Sequence, residues 1–213
     1  MNCAYSELYL GDAMSNLGEM SEYAYYGCGT EPDDAFRYFI ISGYSDRFRV
    51  GDPCVVSGRS GTELYLDVLK KCGLPVPNPI KALVRYDADA YYWVGYVTAY
   101  YQWRANITFR AIFDTISAED LLRMYPALHT ASEERAFDAV HELYRSKRMQ
   151  SRLQAYRKGL GLTQAELSEI SDVNIRTLQQ YETGAKELDK ASVRSVYALS
   201  QALHCEPEDL ISL

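Results

Sequence analysis

Arg176 and Gln180 stand four residues apart in the stretch "VNIRTLQQYETG", residues 173–184. On a helix that spacing places both side chains on one face. An arginine can donate to guanine O6 and N7 together, and a glutamine amide can engage adenine N6 and N7 in the same bidentate manner. The pair is therefore able to read base edges in a major groove. The plainer alternative is a solvent-facing helix surface, which is what most exposed polar residues form. The neighbouring elements decide between the two.

Those elements come in a definite order. Thr163 with Glu166 makes a capping box, and it predicts a helix from Gln164 to about Ile170. "SDVN" follows as a turn in which Asp172 tolerates a left-handed backbone. Asn174 caps a third helix that ends near Gly184, Asp189 caps a fourth, and Pro207 sits in the first turn of a short fifth. A short helix, a tight turn and a second short helix form the helix-turn-helix geometry. Leu167, Ile170, Val173 and Leu178 fall where such a unit fills its angle, which leaves Gln164, Ile175, Arg176, Gln179 and Gln180 facing outward.

On the segments "LTQAEL", "SDVNIRTLQQYETG" and "ALSQALHCEPEDLISL", the last third of the chain resembles the Cro/C1 (XRE-type) family of phage-repressor-like DNA-binding domains. The resemblance implies a five-helix domain over 151–213 whose third helix, 174–183, enters the major groove of double-stranded DNA. It implies a phosphate contact for Gln164 and base-edge contacts for Ile175, Arg176 and Gln180. Asn174, Thr177 and Gln179 belong to the same DNA-facing segment, and Ala185, Lys186 and Lys190 lie where the family approaches the backbone again. Arg157 and Glu182 match a partly buried ion pair that ties the first helix to the third. Asp172 stands where the family usually has glycine.

Charge limits how such a module could work. The chain carries 22 Lys and Arg against 29 Asp and Glu, a net charge of −7. Residues 1–150 hold 15 cations against 20 anions, and the remainder 7 against 9. Neither part is a basic module, so affinity for DNA must rest on the placement of a few cations, with a shallow dependence on salt. A twofold homodimer would double the contacts and read two half-sites about one helical turn apart.

Residues 1–150 read as a second, mostly helical domain. "DAMSNLGEMSEYAYYGCG" carries the helical stripe Met14, Leu17, Met20 and Ala24, and "PDDAFRYFIISG" opens with Pro32 and two aspartates as a helix N-terminus does. Cys54 to Val56 is expected to be a short extended run, and "GTELYLDVLKKCG" an amphipathic helix. "LPVPNPIKALV" is expected to be irregular because of its three prolines. Ser117 and Asp120 open another helix, which Pro126 is expected to end, and a long helical stretch then runs across position 150.

"ADAYYWVGYVTAYYQW" is apolar almost all round and marks a central buried helix. Its Tyr91, Tyr92, Trp93, Tyr96, Tyr100, Tyr101 and Trp103 serve first as core knobs. A ligand pocket, stacked bases or a partner-protein surface are the alternatives. At 16 residues the segment is too short to span a bilayer. This part also loosely resembles an uncharacterised helical region found ahead of such DNA-binding domains in anaerobic gut bacteria, through "LGDAMSNLGEM", "YYWVGYVTAYYQW" and "MYPALH".

No residue pattern argues for an enzyme, a metal or a cofactor. The five cysteines form no C-x-x-C pair, which suits a reducing cytoplasm, and His129 and His141 lack a metal-ligand spacing. The sequence thus predicts an all-α cytoplasmic transcriptional regulator, with repression as the expected sign. Its first domain would dimerise, sense or bind a protein partner. The alternative function is the antitoxin of a toxin–antitoxin pair, neutralising a partner through residues 1–150 and regulating its own synthesis through the helix-turn-helix.

Overall fold

The computed structural model describes residues 3–77 and 89–211, with the side chains of 149–151 excepted. The described residues form thirteen α-helices and no strand, so the chain is all-α. They divide into two compact units, Met1–His141 and Glu142–Leu213.

The first unit is built around α1 (Leu10–Cys28) and α6 (Ala90–Ala105). Met14, Leu17, Met20 and Ala24 of α1 are buried, as the stripe predicts, and Ala13 and Tyr23 join them. Glycine lets the two helices approach backbone to backbone. A Cβ on Gly95 of α6 would fall on the Leu17 carbonyl of α1, so no larger residue fits that crossing. Asp89 caps α6 by accepting from the Tyr91 and Tyr92 N–H groups. Beside this pair lie α2 (Pro32–Ile41), α3 (Tyr44–Arg49), α4 (Pro53–Val56), α5 (Gly61–Lys71), α7 (Phe109–Phe113) and α8 (Ala118–Leu128).

Phe39, Phe48 and Phe109 meet edge to face with ring centres 5.2–5.9 Å apart, and Phe36 stacks on Phe113 at 4.3 Å. Such geometries exploit the ring quadrupole as well as burial. The capping boxes Ser60–Glu63 and Ser117–Asp120 open α5 and α8. Asp33 at the start of α2 accepts from Ala118 N at 2.6 Å and so ties the two N-termini together.

Two expectations for this unit fail. Cys54 to Val56 is helical, because Pro53 supplies a helical φ at the first position and Asp52 accepts from Cys54 N. Pro126 lies within α8 and does not end it. The missing proline N–H removes a single bond near the helix end, and the ladder resumes with His129 N donating to the Tyr125 carbonyl. The proline-rich stretch has no regular structure over 74–77, and its remainder lies outside the described residues.

The long helix α9 (Glu133–Gly159) leads to α10 (Gln164–Ser171), α11 (Ile175–Thr183), α12 (Val193–Ala202) and α13 (Pro207–Leu210). In the second unit Leu153, Leu167, Val173, Leu178, Tyr181, Leu188, Val196, Leu199, Leu203 and Leu210 form one buried core. Ile170 departs from the expected set, being 59% exposed. The inward position is taken by Ser171, four residues after Leu167, and its hydroxyl donates back to the Leu167 carbonyl at 2.6 Å. Asp189 falls in a 3-10 turn (Leu188–Lys190), and Ser192 caps α12 in its place by accepting from Ser195 N.

Among the described residues no helix is long and apolar enough to cross a membrane.

Candidate nucleic-acid interface

The angle between α10 and α11 is made by three residues. Asp172 adopts the left-handed conformation at φ 53°, ψ 22°. Ser168 Oγ donates to the Val173 carbonyl at 2.7 Å, and Ser171 Oγ accepts from Val173 N at 3.4 Å. Side-chain hydroxyls thus satisfy the turn's backbone, and Val173 is buried beneath it. Thr163 opens α10 by accepting from Glu166 N, while Glu166 reaches back to Thr163 N at 2.7 Å. That backbone hydrogen bond, with the Thr163 hydroxyl, holds the Glu166 carboxyl below its ordinary range.

α11 is sharply two-faced. Leu178, Tyr181 and Glu182 turn inward and are buried. Ile175, Arg176, Gln179 and Gln180 turn outward and are exposed. Asn174 caps the helix, its Oδ1 accepting from Arg176 N at 2.9 Å, and Gly184 closes it in the left-handed conformation at φ 72°. Thr177 is half-buried at the flank of the exposed face. The Arg176 guanidinium and the Gln180 amide find no partner among the described residues, so both are available to a ligand.

Behind this face lies a buried polar link. Arg157, on α9, donates Nε and Nη2 to the two carboxylate oxygens of Glu182 at 2.5 and 2.8 Å, a bidentate pair. The two residues are 8% and 6% exposed. Arg157 Nη1 also donates to the Leu162 carbonyl at 2.7 Å, which fixes the loop before α10. Burial pushes the Glu182 carboxyl up, but the hydrogen bonds from Arg157 and Gln164 outweigh it and leave the group below its ordinary range. The bond to Glu182 raises Arg157 in turn.

Gln164 is half-buried at the start of α10. Its Nε2 donates to Glu182 Oε2 at 2.8 Å, and its Oε1 accepts from Gln179 Nε2 at 3.5 Å. Sequence reasoning missed this connection. Nothing local marks two polar residues 18 apart as partners.

The cations after α11 stand differently from one another. Lys186 is exposed, with Nζ 5.6 Å from the centre of the Tyr181 ring. Lys190 donates to Glu187 at 3.0 Å, so part of its charge is already matched, and that bond raises its pKa. Ala185 is exposed beside them. Over the whole second unit, Glu142–Leu213, ten Lys and Arg balance ten Asp and Glu. The entire net charge of −7 therefore belongs to the first unit.

The other polar residues singled out in the sequence make ordinary structural contacts. His141 Nδ1 lies 3.2 Å from the Tyr101 hydroxyl, and His129 Nδ1 lies 3.0 Å from the Tyr125 carbonyl. The five cysteines are free thiols. Of the aromatic residues on α6, Trp93, Tyr100, Tyr101 and Trp103 are buried, whereas Tyr91, Tyr92 and Tyr96 are half-buried.

Residues 153–210 match the family model for helix-turn-helix domains. No curated protein and no solved structure matches the chain. The matched span holds the capped α10, the left-handed turn and the two-faced α11, with their core. The C-terminal third of this chain is a Cro/C1-type (XRE) helix-turn-helix, the domain of DNA-binding transcription regulators.

Proposed function

We propose that the protein is a sequence-specific, cytoplasmic transcriptional repressor that lays α11 in the major groove of its operator. The observation that carries this reading is the outer face of α11. Arg176 and Gln180 are exposed and unpartnered on a helix whose opposite face is locked into a core. Arginine and glutamine at that spacing match guanine and adenine edges on neighbouring base pairs. Ile175 offers an apolar contact to a thymine methyl, and Gln164, Asn174, Thr177 and Gln179 line the same approach. Lys186 and Lys190 meet phosphates beyond the helix. A homodimer supplies a second α11 and a palindromic site. Residues 1–150 form the regulatory domain, and no reaction is assigned to them.

The test is selection of bound sequences from random duplex DNA, with wild type beside Arg176→Ala and Gln180→Ala. Wild type is expected to enrich a motif, and each variant to relax it at its own position by about 1–3 kcal/mol. Enrichment of nothing at low salt would refute the assignment.

A further inference from the structure

A cavity of about 350 Å³ opens in the first unit between α6, α8 and the start of α9. Its walls carry Tyr92, Trp93, Tyr96 and Tyr100 from α6 and Tyr125 from α8, with Glu133 at the rim. The volume is at the small end of the range that holds organic ligands. We infer that this cavity binds a small organic cation, a quaternary or alkylated ammonium, by enclosing it among aromatic rings beside a carboxylate. The inference rests on residues 1–141 alone and stands whether or not α11 reads DNA.

Three observations select a cation. Five aromatic rings line one small space, and the face of each ring is electronegative, so a cation set among them is attracted without a dedicated ion pair. Among the described residues no lysine or arginine lines the cavity, while Glu133 stands at its edge and accepts from the Tyr96 hydroxyl at 3.0 Å.

The adjoining concavity shares Tyr96, Tyr100 and Glu133 and adds Glu7, Glu134 and Arg104. Three carboxylates line it against one guanidinium. That guanidinium is engaged, with Nη1 donating to the Tyr100 hydroxyl at 2.8 Å and its centre 4.9 Å from the Phe137 ring centre. The net charge of −7 on this unit adds a field of the same sign. An anion would meet only neutral donors here, the tyrosine hydroxyls and the Trp93 indole N–H, beside the carboxylates. His129, also on the lining, has Nδ1 against the Tyr125 carbonyl, which can only accept. Its Nε2 is therefore an acceptor while the ring is neutral, able to take a hydrogen bond from an ammonium N–H.

The test uses the full chain, at a pH above the histidine range, and isothermal titration with choline and benzyltrimethylammonium. The control is 3,3-dimethylbutan-1-ol, in which carbon replaces the choline nitrogen at the same shape. Both cations are expected to bind in the millimolar range or tighter, and choline about tenfold tighter than the alcohol. Glu133→Gln keeps the hydrogen-bonding shape at an exposed position and is expected to weaken choline about threefold or more. Tyr125→Leu is expected to do the same, with the circular dichroism of both variants unchanged. Equal affinity for choline and the alcohol would overturn the inference, since the cavity would then ignore charge. So would the absence of binding by either cation, or cation binding that neither variant alters.

Discussion

Arg157→Ala should remove a large share of the stability of the helix-turn-helix unit. The variant leaves the Glu182 carboxylate 6% exposed, with only the neutral amides of Gln164 and Gln154 beside it. It also frees the Leu162 carbonyl. Breaking a buried pair by removing one member costs about 3–5 kcal/mol. A unit of 72 residues is stable by about 4–11 kcal/mol in all, so the loss is a large share of the total. Replacing both members, as in Arg157→Met with Glu182→Met, leaves no buried charge and should lose clearly less than Arg157→Ala alone.

Urea unfolding followed by far-UV circular dichroism measures this directly. Tryptophan fluorescence serves as an internal control, because Trp93 and Trp103 both belong to the first unit. The acid limb gives a second reading of the same pair. Glu182 is held below its ordinary value in the folded protein. Its contribution is therefore present above the unfolded glutamate value of about 4.3 and is lost as pH falls through the folded value. An Arg157→Ala variant within about 1 kcal/mol of wild type would show that water reaches the pair and that the burial argument is wrong.

Three further outcomes are expected. With Arg176, Lys186 and the partly matched Lys190 as the cations of α11 and the segment after it, the logarithm of DNA affinity should fall with the logarithm of salt with a slope of only about −2 to −3 per copy. A much steeper slope in filter binding would place more lysines and arginines on phosphates than this face provides. Asp172→Gly relieves a left-handed backbone at φ 53° and should raise the stability of its unit by about 0.5–1 kcal/mol in urea titration; a loss would reveal a contact made by the carboxylate. Gly95→Val drives a side chain into the Leu17 backbone and should cost more than about 3 kcal/mol, read as a lowered fluorescence midpoint, whereas a neutral result would put α1 and α6 farther apart than described.

The second unit was legible because its signals are local. Thr163 with Glu166, and Asn174 before α11, announce their helices within three residues, and Asp172 stands alone at a turn that needs a left-handed backbone. Ile170 shows where local pattern stops. Positions three and four after Leu167 are both compatible with burial, and the choice of Ser171 depends on a hydroxyl that can return to its own helix. Hydrophobicity favours the wrong residue there. Cys54 to Val56 illustrates a different limit, since two β-branched valines outweigh a proline and an aspartate in a strand-like reading while the cap decides the backbone. The partnership of Gln164 with Glu182 is set by tertiary approach alone. On α6 the aromatic run was plain, but which rings close the core and which leave an open space depends on α8 and α9 packing against it.

The Gln164 amide has two N–H groups and one oxygen, and the fold decides which way round they sit. Because Glu182 can only accept, Nε2 must face it, which leaves Oε1 on the other side toward Gln179. A free glutamine would sample both amide orientations and several rotamers, and ordering such a side chain on binding costs about 0.5–1.5 kcal/mol. Here that ordering belongs to folding. The second N–H of Gln164 is left as a donor at the first turn of α10. The ion pair behind α11 thus sets which end of the Gln164 amide is left over at the start of α10.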